Sequence, residues 1–316
     1  MKSWRAEFSV LCLAVLAAGI AAADPAVAEL LSLGRVNEAI SVLMTRADPE
    51  SMNLLSRAYY ATERWDDAVK YGERAVTLRP EDAQYHLWLA RGYGEKAANS
   101  NPLTAATLAR KAKNEFERSV QLDPSSVEAR LDLAQYYTEA PAVMGGGLER
   151  ARDQAAQVAK YNSSKSHLIL ARIAEKEKQF PEAEDQLRQA INEAREPSEY
   201  WIALAEFYRL RGRSDDMQKA VRTALAQPGE PAETYFDAAN QLLLGSRDFP
   251  NAILYLQKYL ASGGLVESAP AFQAHYLLGQ IYEKMGQTPA AVSEYRASLA
   301  LASGFERARK ALNRLQ

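Results

Sequence analysis

Between residues 51 and 80, apolar and small side chains recur at spacings that suit two helices packed face to face. Leu55 and Tyr59, with Ser56 between them, share one helix face because they lie four positions apart. Ala68 and Ala75 line the facing side of a second helix, where small side chains allow a close approach. Pro80 ends that helix, since proline lacks the amide hydrogen and clashes with the preceding turn. One such pair cannot bury its own apolar face, so others must stack on it.

The spacing returns along the chain. Leu89, Ala90 and Tyr93 are followed by Ala112, Phe116, Ser119 and Pro124; Leu133, Ala134 and Tyr137 by Ala151 and Ala155. Next come Leu170, Ala171 and Ala174 with Ala183, Leu187 and Ala190, then Trp201, Leu204, Ala205 and Tyr208 with Ala224 and Pro228. Tyr235 and Ala239 precede Ala252, Leu256 and Tyr259, and His275, Leu278, Gly279 and Tyr282 precede Ala291 and Tyr295. This resembles the tetratricopeptide repeat, W-x2-L-G-x2-Y…A-x3-F…P, with a period of about 34 residues. The resemblance implies an all-α, right-handed superhelical solenoid of about eight antiparallel helix pairs.

The ends and two turns depart from the regular pattern. A short first pair is expected, with Ala26 to Leu33 as its first helix, Gly34 as the turn and Val36 to Arg46 as its second, the array spanning residues 24–303. Over residues 304–316, Phe305, Ala308, Leu312 and Leu315 share one face with Arg307, Arg309, Lys310 and Arg314 opposite, which predicts a helix capping the last repeat. Extended turns are expected near 99–103, with an additional helical turn after Leu103, and over 140–147. Val143 and Met144, apolar at the tip of the second, suggest either a partner contact or a local change of superhelical angle.

Composition narrows the function classes. The 316 residues are 47% hydrophobic, enough for a sizeable core, and 38 basic against 40 acidic residues give a net charge of −2. That balance argues against a nucleic-acid face. Lys2 and Arg5 precede an apolar run from Phe8 to Ile20 and then Ala21, Ala22 and Ala23, the layout of a secretory signal peptide over residues 1–23. Export to the periplasm or outside the cell is expected, the alternative being a short buried helix or an anchor; the run falls short of the roughly 20 residues of a comfortable span. Cys12, the only cysteine, lies in this segment behind Leu11, where lipidation would need a small residue, so the processed chain would have no disulfide. No later stretch is apolar enough to cross a bilayer.

Candidate chemistry is sparse. His86, His167 and His275 each stand three residues before the leucine of their first helix, the slot where the repeat pattern has tryptophan and where Trp201 stands here. They are expected to pack between helices. Gly145, Gly146 and Gly147 precede a helix at Leu148, but no strand comes before them and no Lys, Ser or Thr follows, so a permissive turn is expected rather than a phosphate loop. Neither a zinc-protease motif nor a nucleophile elbow occurs. No catalytic, cofactor or metal site is expected, and the chain reads as a non-enzyme.

What the resemblance does imply is a concave groove lined by residues one and five after the tryptophan slot. The first set is Asn53, Leu87, Leu131, Leu168, Ile202, Phe236 and Tyr276; the second is Arg57, Arg91, Gln135, Arg172, Glu206, Asn240 and Gln280. An apolar ridge beside a polar one suits a peptide or amphipathic helix of a protein partner. Alternatively, the apolar row packs against neighbouring repeats. Arg57, Trp88, Arg91 and Arg172 are the expected anchors. The function expected is a scaffold or adaptor; the alternative is an accessory subunit of an envelope polysaccharide-export or cell-wall assembly.

Overall fold

A computed structural model describes residues 25–316, so the signal-peptide segment 1–23 and Cys12 lie outside the described residues. Seventeen α-helices and no strand occur among the described residues: α1 (Pro25–Ser32), α2 (Val36–Leu43), α3 (Pro49–Ala61), α4 (Trp65–Leu78), α5 (Ala83–Ala98), α6 (Pro102–Leu122), α7 (Val127–Glu139), α8 (Leu148–Val158), α9 (Ser163–Lys176), α10 (Phe180–Glu193), α11 (Ser198–Leu210), α12 (Ser214–Leu225), α13 (Glu233–Leu244), α14 (Phe249–Ala261), α15 (Ala271–Lys284), α16 (Thr288–Leu301) and α17 (Glu306–Leu315). The fold is all-α and built from antiparallel helix pairs. The chain divides into two units: Leu43–Glu193, and residues 25–42 together with Ala194–Gln316.

The first unit stacks the pairs α3–α4, α5–α6, α7–α8 and α9–α10. Polar caps start the helices: Asp48, Asp82, Asn101, Ser126 and Asn162 each accept a backbone N–H of the first turn. Small residues set the spacing within a pair. Ala68 and Ala75 are wholly buried, and the hydroxyl of buried Ser56 donates to the Ala68 carbonyl at 2.7 Å. Thus serine does more than replace a glycine in the pattern, because it ties one helix of the pair to the backbone of the other. The helix-ending role of proline holds, with α4, α6 and α12 finishing two residues before Pro80 and Pro124 and three before Pro228.

The extension near 99–103 lies mainly in helix, in keeping with the additional helical turn expected after Leu103. Residues 99–101 alone separate α5 from α6, and the additional residues lengthen the helices themselves. Asn101 caps and Pro102 starts α6 early, and Ala105, Leu108 and Ala109 bury its extra turns against the unit's core. The turn at 140–147 is a loop, and a well-tethered one. Ala142–Met144 form a 3-10 turn, the Tyr136 hydroxyl donates to the Met144 carbonyl at 2.8 Å, and the Gly147 N–H donates to the Tyr137 carbonyl at 2.8 Å. Val143 projects at 75% exposure, whereas Met144 packs against the core. A Cβ on Gly146 would stand 1.8 Å from the Ala140 carbonyl oxygen. Gly146→Ala is therefore expected to displace this loop at a cost of about 2 kcal/mol, read as faster hydrogen exchange at the Gly147 amide with α3–α5 unchanged.

The second unit stacks α11–α12, α13–α14 and α15–α16, with α17 packed on α16. Phe305, Ala308 and Ala311 are buried at this end of the chain, and Phe305 meets Phe272 and Tyr276 edge-on at 5.1 Å each. The first pair is placed differently from the expectation of a simple terminal repeat: α1 and the body of α2 belong to this second unit. The Asn37 side chain donates to the Ala300 carbonyl at 3.0 Å and accepts from the Ser303 N–H at 2.9 Å. Gly34, at φ +70°, lies so near the start of α15 that a Cβ would stand 2.6 Å from the Ala271 nitrogen. Asn37 completes the exposed end of α16, which has no helical partner for its last carbonyls.

Candidate groove sites

In each unit the first helices of the pairs lie side by side, α3 with α5 and α7 with α9 in the first, α11 with α13 and α13 with α15 in the second. Residues one position after the tryptophan slot are mostly inside the packing. Leu87 and Ile202 are wholly buried, and Asn53, Leu168, Phe236 and Tyr276 are under 10% exposed; Leu131 is half-buried. The apolar row therefore serves chiefly to seal neighbouring helices, which corrects its reading as a contact ridge for Leu87 and Ile202. Phe236 packs edge-on against Tyr259 and Tyr276 edge-on against Phe305, while Tyr276 meets Tyr295 at a tilt. The carbonyl oxygen of the buried Asn53 side chain has no hydrogen-bond partner among the described residues.

The residues five after the slot behave as a register. Arg57 on α3 lies over Trp88 on α5, 4.9 Å from the ring centroid, and Arg91 approaches the same ring at 4.5 Å. Tyr60 meets Trp88 edge-on at 5.6 Å. Arg91 then reaches across to α7: its Nε donates to Asp132 at 2.6 Å and its Nη2 to Glu128 at 2.8 Å. With a side chain only 12% exposed, Arg91 is a structural ion pair rather than an open anchor. Gln135 and Arg172, the next members on α7 and α9, are half-buried and make no hydrogen bond or ion pair among the described residues.

The second unit carries the opposite charge in this register. Glu206 on α11 takes the position of Arg91, and Glu233 and Asp237 on α13 take those of Glu128 and Asp132. Enclosure in the groove, with Glu233, Glu199 and Glu206 beside it, raises Asp237 well above the usual carboxylate range. Asn240 and Gln280, on α13 and α15, are half-buried.

A second carboxyl that sequence reasoning passed over is Glu95 on α5, 8% exposed and without a hydrogen-bonded or ionic partner for its side chain among the described residues. Burial, with Glu63 nearby, pushes it up to about 7. Its signal in the sequence is slight, a glutamate two residues after the repeat's tyrosine. The histidines sit between the helices of their pairs: His86 Nδ1 lies 2.5 Å from Glu115, His167 Nδ1 2.6 Å from Gln186 and His275 Nδ1 2.7 Å from Glu294. Burial opposes the protonated form of His86, but its bonds to Glu115 and the Pro80 carbonyl outweigh that and raise it. No cluster of three or more His, Cys, Asp or Glu suited to a metal occurs among the described residues, and no described helix is long and apolar enough to cross a membrane.

Two tetratricopeptide repeat family models match the sequence, at residues 50–79 and 238–305. The matched segments carry tetratricopeptide repeats. They fall on α3–α4 in one unit and on α13 to α16 in the other. The sequence matches no curated protein. Similar solved structures include a thermophilic TPR protein of Thermus thermophilus, at 17% identity and TM-score 0.49, covering 58% of this chain and 95% of that one. A tetratricopeptide repeat protein from Parabacteroides merdae is 12% identical with TM-score 0.44, covering 84% and 98%. A chain of the APC/C hetero-tetramer Cut9-Hcn1 is 15% identical with TM-score 0.41, covering 92% of this chain and 54% of its own length. Tetratricopeptide repeats generally mediate protein–protein interaction.

Proposed function

We propose that this chain is a non-enzymatic scaffold that holds a segment of a partner protein against the first helices of its repeats. The observation that supports this reading is the pair Gln135 and Arg172, half-buried polar side chains on the adjacent helices α7 and α9 with no partner among the described residues. A guanidinium left half out of water without a counter-charge loses hydration with no return. A carboxylate or backbone carbonyl from a bound segment would supply that return. Export directed by residues 1–23 would put the partner in the envelope or outside the cell. A role as an accessory subunit of an envelope assembly is a special case of this scaffold, in which the partner is an enzyme held in place.

A photo-crosslinking amino acid placed at Gln135 or Arg172, and separately at the exposed Leu103 on α6, tests the reading in cells. One product shared by the first two positions, absent at Leu103 and weakened by Arg172→Glu when the crosslinker is at 135, is the result expected. Capture only from Leu103, or from a crosslinker at the loop-tip Val143, would move the partner surface off the groove.

A further inference from the structure

Two adjacent residues on α5 each weaken the fold with no offset among their neighbours. Gly94 stands inside the helix, where glycine is less favourable than alanine, yet a Cβ there would meet no heavy atom within 4 Å beyond its chain neighbours and its own helix backbone. The other glycines within described helices do touch a neighbour: a Cβ would stand 3.1 Å from Leu89 at Gly72, 3.5 Å from Val69 at Gly92 and 2.4 Å from Tyr295 at Gly279. Glu95, the next residue, is 8% exposed and has no hydrogen-bonded or ionic partner for its side chain among the described residues. A carboxylate so enclosed is destabilising unless a counter-charge reaches it. Its oxygens are not wholly covered, so the carboxyl still meets solvent, one residue from the space that Gly94 leaves. We propose that Gly94 and Glu95 form a notch on the groove side of α5 that receives a lysine side chain of the partner segment, its ammonium on the Glu95 carboxylate. This names the partner's chemistry for the scaffold reading above and rests on that reading.

The notch continues the groove register. Gly94 and Glu95 lie three and four residues after Arg91, and Glu95 lies seven after Trp88, so they share the side of α5 that carries the groove positions. The cations already nearby are committed elsewhere. Arg91 gives its guanidinium to Glu128 and Asp132 on α7, and Lys96 pairs with Asp66 at 2.7 Å. Enclosure and the Glu63 charge are what raise the Glu95 carboxyl, and an incoming ammonium offsets both. A lysine fits better than an arginine. A compact ammonium on a slender stem is satisfied by one carboxyl, whereas a guanidinium fork bonds two, as Arg91 does. Local choices that weaken a fold without a structural gain are expected where a surface serves binding.

The test uses the purified protein and a capped Gly-Gly-Lys-Gly-Gly peptide, with norleucine or arginine in place of the lysine as controls, titrated calorimetrically at pH 8 and low ionic strength. Expected is binding of the lysine peptide, weaker binding of the arginine peptide and none of the norleucine peptide. Glu95→Gln and Gly94→Ala are each expected to weaken the lysine peptide about ten-fold. Both should melt no lower than the parent protein, because each removes a feature that weakens the fold, so lost binding is separable from lost structure. Unchanged affinity in both variants, equal binding of the norleucine peptide, or no binding of the lysine peptide would overturn the assignment. Crosslinks at Gln135 and Arg172 that persist while the lysine peptide fails to bind would remove the notch and keep the scaffold; absence of those crosslinks would remove the scaffold itself.

Discussion

Tyr259→Ala is expected to destabilise the second unit by about 4 kcal/mol, and Tyr259→Phe by about 1.5. The ring is wholly buried and packs edge-on against Phe236 at 5.7 Å, so alanine leaves a cavity in the middle of α13–α14. The hydroxyl has a separate task. It donates to the Ala269 carbonyl at 2.5 Å and accepts the Val266 N–H at 3.0 Å, which ties the segment between α14 and α15 to the helix before it. Phenylalanine keeps the packing and orphans both backbone groups. Hydrogen exchange is the suitable readout, because a repeat array need not unfold in one step. Faster exchange in α13–α15 with the first unit unaffected is expected, and the Phe variant should expose residues 262–270 before the helices. If Tyr259→Phe left Val266 and Ala269 as protected as before, the tethering role would be wrong.

Glu95→Gln is expected to stabilise the first unit by up to about 3 kcal/mol above neutral pH and to have little effect near pH 4. The sign follows from the direction of the shift. Burial and Glu63 hold the folded carboxyl up to about 7, while in the unfolded chain it titrates near 4.5. Below both values the group is neutral in either state and nothing is lost. Between them the unfolded chain releases its proton and the folded one does not, so stability falls as pH rises through that window and levels off above about 7. The neighbouring Lys96 does not rescue it, since its ammonium pairs with Asp66 at 2.7 Å. Glutamine removes the charge and with it the pH slope. Urea unfolding at pH 4.5 and 8 decides the matter; parallel curves for the two proteins at both pH values would show that Glu95 ionises freely in the folded chain.

Both residues illustrate where sequence reading reaches and where it stops. Tyr259 was legible as a core residue from its place seven after Ala252, but its bonds to Val266 and Ala269 depend on how the following loop returns. Arg91 and Glu206 were legible as members of one groove register. Their partners Glu128, Asp132, Glu233 and Asp237 come from the next repeat, and a spacing rule for one helix says nothing about which side chains of its neighbour will face it.

By itself the sequence determined the helix pairs and their order. Local spacing suffices for that, because a helix face is set by residues three and four apart and a turn by residues such as Gly212 and Gly286, both at positive φ. It also determined that the histidines would lie between helices. An additional helical turn after Leu103 was legible as well, but only tertiary structure decided what repays it, the burial of Ala105, Leu108 and Ala109. Tertiary structure also decided that Leu87 and Ile202 would be sealed away, and that α1 and α2 would pack with the last repeats through Asn37, Ala300 and Ser303. These outcomes rest on contacts between residues far apart in the chain, whose energy depends on geometry that no periodicity encodes.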